Sequence, residues 1–312
     1  MSATLFLGID GGATKTRAVV VDASGTVRGE GAAGCGNHSA VGFAAATANI
    51  HAAATAAMQV AGGTFPVTAA RIGLAGVDRP ADHARFAPVF ASFATVVALS
   101  NDAELALTAL PDAVGVVLIA GTGSIAFGVD NTGARARAGG WGWRIGDEGS
   151  GYAIGRQALQ AASQAADGRG AMTTLLPAIL AHWQLAQPAD LIGHVYGDGG
   201  IANAEVADLA QLVVLQAREG DAAARRIVRT AADNLARTVL AVAAALDFAD
   251  HPLPLACVGG LLTPPTGLRA MVVRRLRLRR LVSPVAVVTD PAMSAARAAR
   301  FLIHNRRTLT DA

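Results

Sequence analysis

The sequence predicts an α/β protein built from two domains of similar architecture. The chain has 312 residues, and single hydrophobic cores usually stop growing at about 250 to 300 residues. Two segments repeat one pattern: LGIDGGATKTRAVVVDASGTVR at 7–28 and LIAGTGSIAFGVDNTGARAR at 118–137. Each contains an apolar strand, a turn of Gly, Thr and Ser, and a second strand that ends in Val-Asp before another Gly turn. A repeated supersecondary unit indicates two domains of one kind.

The order of strand and helix patterns supports this fold class. In the first half, alternating strands and helices indicate a β/α arrangement. The predicted segments there are strands 4–10, 17–22 and 26–32, helix 39–61, a strand ending at 71–76, helix 80–91, strand 95–100 and helix 102–110. In the second half they are helices 151–166, 172–182, 203–217 and 221–248, strands 255–260 and 285–288, and a closing helix 291–303.

Composition excludes several functional classes. No apolar run approaches the roughly 18 to 20 residues of a membrane span, so no membrane association is expected. The sequence has only two cysteines, Cys35 and Cys257, which excludes a disulfide framework and a four-cysteine zinc site. No basic segment followed by an apolar stretch opens the sequence, so we expect no secretory signal and a cytoplasmic location.

The basic residues are almost all arginine, and the run RRLRLRR at 274–280 is dense in them. Such a run is compatible with a nucleic-acid surface. The leucines inside it favour the solvated face of a surface helix or strand, so no nucleic-acid partner is expected.

The turn IDGGATKTR at 9–17 could bind phosphate. Gly11 and Gly12 would let backbone N–H groups approach phosphate oxygens, while Thr14 and Lys15 would add donors and charge. Asp10 could hold Mg²⁺, since hard cations take carboxylate oxygens. The alternative is a plain hairpin turn, for which Asp-Gly is also typical.

The repeat carries a second such turn, AGTGS at 120–124. Gly121, Thr122, Gly123 and Ser124 supply two glycines and two hydroxyls without a charge. One phosphate-binding turn in each domain, facing each other across a cleft, is the arrangement that this pair of turns suggests.

Asp102 is the candidate general base. It follows a predicted strand and opens a predicted helix, and ligand sites in open α/β sheets lie at the carboxyl ends of strands. Asp is also a preferred helix N-cap, so capping is the alternative for Asp102.

The loop GGWGWRIGDEGSG at 139–151 has the features of a sugar site. A carboxylate such as Asp147 accepts hydrogen bonds from hydroxyls, Trp141 could cover a sugar face, and Gly140 and Gly142 could expose backbone amides. The alternative is a structural loop whose tryptophans anchor it in the core. Asn37 and His38 lie in a Gly-rich stretch, and pattern alone would not single them out.

Taken together, these motifs resemble one family, the N-acetylglucosamine kinase branch of the BadF/BadG/BcrA/BcrD-type ATPases in the actin–hexokinase superfamily. The resemblance covers nearly the whole chain. Its motifs are DGGATKTR (10–17), CGNHS (35–39), GLAG (73–76), SNDAELAL (100–107), IAGTGS (119–124), GGWGWRIGDEGSGYAIGRQA (139–158) and VGGLL (258–262).

The resemblance implies two ribonuclease-H-like domains, of the actin/hexokinase type, flanking a hinged cleft. Their expected extents are 1–115 and 116–290, with a final helix at about 291–312 packing back on the first domain. It also implies ATP and Mg²⁺ as cofactors, and phosphoryl transfer to the 6-hydroxyl of a small amino sugar, foremost N-acetyl-D-glucosamine.

Site roles carried over from the family follow its motifs. Asp102 would be the base and Asp10 would position the metal. The substrate residues would be Asn37, His38, Asp102, Gly140, Trp141, Gly142 and Asp147. The ATP residues would be Gly11, Gly12, Thr14, Lys15, Gly121, Thr122, Gly123 and Ser124, with Gly259 and Gly260 against adenosine.

Several points stay open at this stage. Ser39 stands where animal members carry an aromatic residue, so recognition of the acetyl group is not fixed. Glucosamine, N-acetylmuramic acid and N-acetylgalactosamine are alternative substrates, and the sequence does not decide whether His38 and Glu148 contact substrate. The oligomeric state is also open, although relatives are often homodimers.

Two other classes of protein are alternatives to the kinase. One is an ATPase activator of a 2-hydroxyacyl-CoA dehydratase or reductase, which needs cysteines for a shared iron–sulfur cluster. The other is a sugar-responsive repressor of the repressor/kinase (ROK) family, with a helix-turn-helix and a zinc loop. The positions of the two cysteines and the opening strand argue against both classes.

Overall fold

The computed structural model describes residues 4–12, 14–77, 79–197, 199–248 and 251–303. The chain divides into two compact units. The first unit takes in the residues up to Ala113 and those from Val288 onward, and the second unit is Val114–Val287. Each unit holds one five-stranded sheet flanked by helices. The α/β fold class predicted from the sequence is therefore confirmed.

The sheet of the first unit contains two hairpin pairings and two parallel pairings. Its strands are β1 (Leu5–Gly11), β2 (Thr16–Asp22), β3 (Val27–Ala33), β4 (Val67–Leu74) and β5 (Ala94–Ser100). Their order is β3-β2-β1-β4-β5. Strands β1 to β3 pair antiparallel, whereas β4 is parallel to both β1 and β5. The carboxyl ends of β1, β4 and β5 therefore share one edge of the sheet.

Three helices connect these strands, and a fourth follows β5. They are α1 (His38–Val41), α2 (Phe43–Ala61), α3 (Pro80–Phe90) and α4 (Asp102–Ala106). The single helix predicted over 39–61 is two helices, because Gly42 between them has φ +83°, outside the helical range. The helix predicted over 102–110 ends earlier and continues as a 3₁₀ turn, Leu107–Ala109.

The second unit repeats the strand order of the first. Its strands are β6 (Gly115–Ala120), β7 (Ser124–Val129), β8 (Arg135–Gly139), β9 (Leu253–Val258) and β10 (Val282–Val288). They are ordered β10-β9-β6-β7-β8. Read from β8 to β10, this is the order of the first sheet, with each strand replaced by the one at the same place in the repeat. The repeat in the sequence thus corresponds to a repeat in topology.

Helices make up most of the remainder of the second unit. They are α5 (Gly151–Ala166), α6 (Leu175–His182), α7 (Asp190–Tyr196), α8 (Asn203–Glu219), α9 (Ala222–Ala244) and α10 (Leu268–Arg277). The arginine run at 274–280 covers the last turn of α10 and the residues after it. Arg275 pairs with Asp233, and Arg280 donates to the carbonyl oxygen of Phe248 at 2.5 Å.

The last described helix, α11 (Pro291–Ala299), returns to the first unit. Its buried alanines pack on the face of the sheet that carries Phe6 and Val19. Contact is close at Gly8, where a Cβ atom would lie 2.1 Å from the carbonyl oxygen of Ala292. The helix predicted at 291–303 ends in a 3₁₀ turn, Arg300–Ile303, and residues 304–312 of the predicted final helix lie outside the described residues.

None of the helices in the described part of the chain is both long and apolar enough to cross a membrane.

Candidate active site

Two carboxylates meet at the shared strand edge of the first unit. Asp10 pairs in register with Gly73 of β4, and Gly73 pairs with Ser100, the last residue of β5. Asp102 lies two residues beyond Ser100, at the start of α4. Burial raises the pKa of Asp10 to about 7, and the charges of Asp102 and Asp290 add to this effect, whereas Lys15 opposes it. Asp10 therefore lies in a negative environment that favours a cation.

The cap of α4 is Asn101 and not Asp102. The Asn101 side chain accepts a hydrogen bond from the Glu104 backbone N–H at 2.6 Å. The alternative interpretation of Asp102 as the helix cap is therefore wrong. The Asp102 carboxylate accepts from the Ala103 N–H at 3.0 Å and is partly exposed at the sheet edge. This position keeps the carboxylate within reach of a ligand.

The DGG turn is a tight hairpin that also presents polar groups. The Gly12 N–H donates to the Lys15 carbonyl oxygen at 2.9 Å, which closes the turn between β1 and β2. Thr14 and Lys15 are exposed. The backbone of this turn is therefore a hairpin, as the alternative interpretation has it. The exposed side chains of Thr14 and Lys15 could still bind phosphate.

Glycine contacts bring Asn37 and His38 to the same region. A Cβ atom on Gly36 would lie 2.7 Å from the Cα of Gly11, so this segment passes directly over the end of β1. Asn37 caps α1 by accepting from the Ser39 N–H at 2.9 Å. The His38 ring lies 5.5 Å from the Phe86 ring, and its Nε2 is 3.5 Å from Asp82. His38 is therefore held mainly by structural contacts.

In the second unit, the predicted Gly-Thr-Gly-Ser turn rests on the start of α5. The Gly151 N–H donates to the Gly121 carbonyl oxygen at 2.7 Å, and the Ser124 hydroxyl donates to the Glu148 carbonyl oxygen at 3.0 Å. Gly259, at the end of β9, has φ +98°, and a Cβ there would lie 2.3 Å from the Ala120 carbonyl oxygen. Two glycine turns thus converge at the ends of β6 and β9.

Asp147 links the tryptophan loop to this turn. It is buried, with φ +59°, and its carboxylate accepts from the backbone N–H groups of Ser124 and Gly142. A Cβ on Gly123 would lie 2.9 Å from its Oδ2. Burial raises the pKa of Asp147, while these hydrogen bonds oppose the rise. Part of its hydrogen-bonding capacity therefore holds the loop in place.

The two tryptophans of this loop are exposed, Trp141 to 67% and Trp143 to 40%. The alternative in which both anchor the loop in the core is therefore wrong. The Arg137 guanidinium lies 5.7 Å from the Trp141 ring, and the Trp143 ring lies 5.3 Å from Tyr152. An exposed indole such as Trp141 offers a flat surface suited to the weakly polar face of a sugar.

The predicted site residues thus form two groups. The group in the first unit contains Asp10, Gly11, Gly12, Thr14, Lys15, Asn37, His38 and Asp102. The group in the second unit contains Gly121, Thr122, Gly123, Ser124, Gly140, Trp141, Gly142, Asp147, Gly259 and Gly260. Gly260 is exposed, and a Cβ on it would meet nothing within 4 Å.

Sequence reasoning missed Arg17 and Asp290 beside Asp10. The Arg17 Nε donates to Asp290 Oδ2 at 3.1 Å across 273 residues of sequence. The one local signal is the Asp-Pro pair at 290–291, which is typical of a helix start and predicts a cap but not a neighbour.

Comparison with known proteins gives consistent matches. The family model for the BadF/BadG/BcrA/BcrD ATPase family matches residues 7–296. An N-acetylmuramic acid/N-acetylglucosamine kinase from Clostridium acetobutylicum is 38% identical over 194 residues, which are 61% of this chain and 63% of that relative. An N-acetyl-D-glucosamine kinase from Dictyostelium discoideum is 31% identical over 95% of this chain and 98% of its own length.

A solved structure agrees with these matches. A crystal structure from Chromobacterium violaceum, provisionally named an N-acetylglucosamine kinase, is 30% identical. It superposes with a TM-score of 0.72, covering 96% of this chain and 100% of its own.

Proposed function

This chain belongs to the BadF/BadG/BcrA/BcrD ATPase family, and from that premise we propose that it is an ATP-dependent amino-sugar kinase. The proposed reaction transfers the γ-phosphoryl group of ATP to the 6-hydroxyl of N-acetyl-D-glucosamine, giving the 6-phosphate and ADP. The observation that carries the proposal is Asp102, a partly exposed carboxylate beside Asp10 at the edge where β1 and β5 end.

Asp102 is proposed to act as the general base. Its carboxylate would accept the proton of the sugar hydroxyl as the hydroxyl oxygen bonds to the γ-phosphorus and the bond to ADP breaks. A kinase needs mainly alignment and charge compensation for this step, and a positioned base is worth about 10²- to 10⁴-fold in rate. Because the Asn101 side chain caps α4, the helix does not need the Asp102 carboxylate as its cap.

Both hairpin turns are proposed to hold the phosphates of ATP. Gly11, Gly12 and Thr14 would supply amide and hydroxyl donors, and Lys15 would supply charge. In the second unit Gly121 to Ser124 would add donors, with Gly259 and Gly260 against adenosine. The convergence of the turns at the ends of β6 and β9 supports this assignment.

The residues around Asp10 fit Mg²⁺. The described residues contain no group of three or more His, Cys, Asp or Glu side chains that could cage a metal ion. Mg²⁺ does not need such a cage, because it is usually held by one or two carboxylates together with waters and substrate phosphates. Asp10, whose ionisation is opposed by burial and by Asp102 and Asp290, would hold it and would itself be stabilised. When bound, Mg²⁺ supplies positive charge to the phosphate oxygens.

The second group of residues is proposed to select the sugar. Trp141 would cover one face of the ring, and Asp147 would accept hydrogen bonds from its hydroxyls together with Asn37. His38, which the sequence also assigned to the substrate, would support Asn37 through its packing on Phe86.

The relatives favour N-acetylglucosamine as the substrate, since the Dictyostelium protein that matches almost end to end carries that name. Glucosamine is the alternative within the same class. A dehydratase activator is disfavoured because Cys257 is fully buried within β9, where it could not share a cluster with a second subunit. Use of ATP favours a cytoplasmic location, and the homodimer stays a prediction.

The test is an ADP-release assay with Mg²⁺ and ATP over a panel of hexoses and amino sugars. We expect N-acetylglucosamine to be phosphorylated with the highest kcat/KM, and phosphorus NMR to place the phosphate on the 6-oxygen. ADP release that no amino sugar stimulates would contradict the proposal.

A further inference from the structure

Asp10 and Arg17 are direct neighbours across the β1–β2 hairpin. They form a register pair in this antiparallel ladder. Side chains of such a pair project from the same face of the sheet, with Cβ atoms about 4.5 to 5.5 Å apart. The guanidinium of Arg17 is therefore within reach of the carboxylate to which we assign Mg²⁺. An Arg17–Asp10 ion pair would compete with a divalent cation for the same oxygens.

The guanidinium of Arg17 is paired with two other carboxylates. Its Nη2 lies 2.9 Å from Asp290 Oδ2 and 2.8 Å from Glu30 Oε2. The side chain of Asp290 is 20% exposed and that of Glu30 is 45% exposed. Since exposed ion pairs contribute little, Asp290 is the stronger of the two partners.

The fold fixes the position of Asp290. Its side chain caps α11 by accepting from the Met293 N–H at 3.1 Å, and Pro291 starts the helix directly after it. The helix backbone rests on Gly8 of β1, where any Cβ would collide with the Ala292 carbonyl oxygen. The Asp290 carboxylate is thus held at the end of β1, on the face that carries Asp10 and Arg17.

We propose that Asp290 is a positioning residue that retains Arg17 at the start of α11 and so keeps the Asp10 carboxylate available to the divalent cation that accompanies ATP. This inference rests on the proposed function, because it concerns the metal of that reaction. It assigns Asp290 no contact with substrate.

The test uses Asp290→Asn in the full chain, because the single asparagine oxygen can keep the helix cap to Met293, while the NH₂ group in place of Oδ2 neither carries charge nor accepts from Arg17. Calorimetry measures the affinity for ADP with Mg²⁺ and with EDTA. We expect the Mg²⁺-dependent gain in ADP affinity to fall about fivefold or more, because Arg17 would then pair with the Asp10 carboxylate and compete with Mg²⁺ for its oxygens. The Mg²⁺ concentration for half-maximal turnover should rise by a similar factor, with the melting temperature nearly unchanged.

A second variant separates the proposed role from a merely structural one. Adding Arg17→Gln to Asp290→Asn removes the competing cation, so the Mg²⁺-dependent gain in ADP affinity should return toward the wild-type value. The matched control is Asp167→Asn, which also breaks an Asp–Arg pair, at 2.7 Å to Arg169, on the surface of the second unit. It should leave the gain unchanged.

Three results would overturn the inference. The first is a Mg²⁺-dependent gain in Asp290→Asn equal to that of the wild type, and the second is the absence of any such gain in the wild type. The third is a loss that Arg17→Gln does not reverse, which would mean that Asp290 acts through its own charge or as a structural residue and not through Arg17. If the wild type phosphorylates no amino sugar but the Asp290→Asn and rescue results hold, the proposed function fails and the positioning role stands.

Discussion

Asp10 illustrates how a site residue carries a cost in stability. Burial raises its pKa to about 7, and the charges of Asp102 and Asp290 act in the same direction. A carboxyl whose pKa is higher in the folded state than in the unfolded state binds its proton more tightly when folded. Its ionisation therefore lowers the free energy of unfolding as the pH rises from about 4 to about 7.

In the metal-free protein, Asp10→Asn should remove this cost. At pH 8 we expect the variant to be more stable than the wild type by up to about 4 kcal/mol, from roughly three pKa units at 1.36 kcal/mol each. Near pH 4 the two proteins should differ little. Urea denaturation in EDTA at both pH values measures this, and a variant that is less stable than the wild type at pH 8 would contradict the prediction.

Individual residues were predictable where a local motif carried them. Asp10 lies at the end of one strand and Asp102 follows another, and the structure places both at one sheet edge. The sequence alone does not identify the cap of α4, because Asn101 and Asp102 are both good caps and only the backbone geometry distinguishes them. Arg17 and Asp290 were missed because a contact across 273 residues leaves no local pattern.

At the scale of the elements, glycine turns bring the strand ends together. Gly259 has φ +98° and lies against the Ala120 carbonyl oxygen, which no other residue could approach as closely. Gly260, the next residue, has open space around the position of a Cβ. The fold therefore requires glycine at position 259 and does not require it at position 260.

Gly259→Ala should lower the free energy of unfolding by more than about 2 kcal/mol, because it combines backbone strain with a steric clash. Gly260→Ala should stay within about 0.5 kcal/mol of the wild type, like most exposed substitutions. If both glycines lie against adenosine, each variant should also bind ADP more weakly. Thermal unfolding and calorimetry measure the two effects, and a stable Gly259→Ala protein would contradict this interpretation.

The elements themselves were largely predictable. Each strand shows alternating residues bounded by turns of Gly, Asp and Ser, and each long helix has an apolar face. The main errors lie at special backbone positions. One is Gly42, whose φ of +83° divides α1 from α2, and glycine inside a helical pattern does not by itself predict a break.

At the scale of the molecule, the two units differ in whether one continuous segment of the chain forms them. The second unit is one continuous segment with its own core, in which Leu118, Ile154 and Leu235 are fully buried. The first unit is discontinuous, because α11 covers the sheet face of Phe6 and Val19. The two units should therefore differ when they are separated.

A fragment of residues 114–288, which contains β6 to β10, should fold cooperatively on its own. A fragment of residues 1–113 should not, because loss of α11 exposes the apolar face that this helix covers. Circular dichroism melts and limited proteolysis of both fragments test this. If the fragment of residues 1–113 folded cooperatively, α11 would not be required for the first unit to fold, and the prediction would be contradicted.

The repeat in the sequence predicted the shared topology, since one supersecondary unit appears twice in the same order. The return of α11 came only with the family resemblance. The sequence of α11 itself, an amphipathic and alanine-rich segment, indicates a buried face and does not indicate which sheet it covers.

The proposed reaction depends on Asp102 as the base for phosphoryl transfer to an amino sugar. The most direct measurement is the kcat of Asp102→Asn with N-acetylglucosamine, together with the affinities for sugar and for ADP by calorimetry. We expect kcat to fall by about 10²- to 10⁴-fold, with both affinities within a few-fold of the wild type. A variant that turns over as fast as the wild type would contradict the proposed role of Asp102.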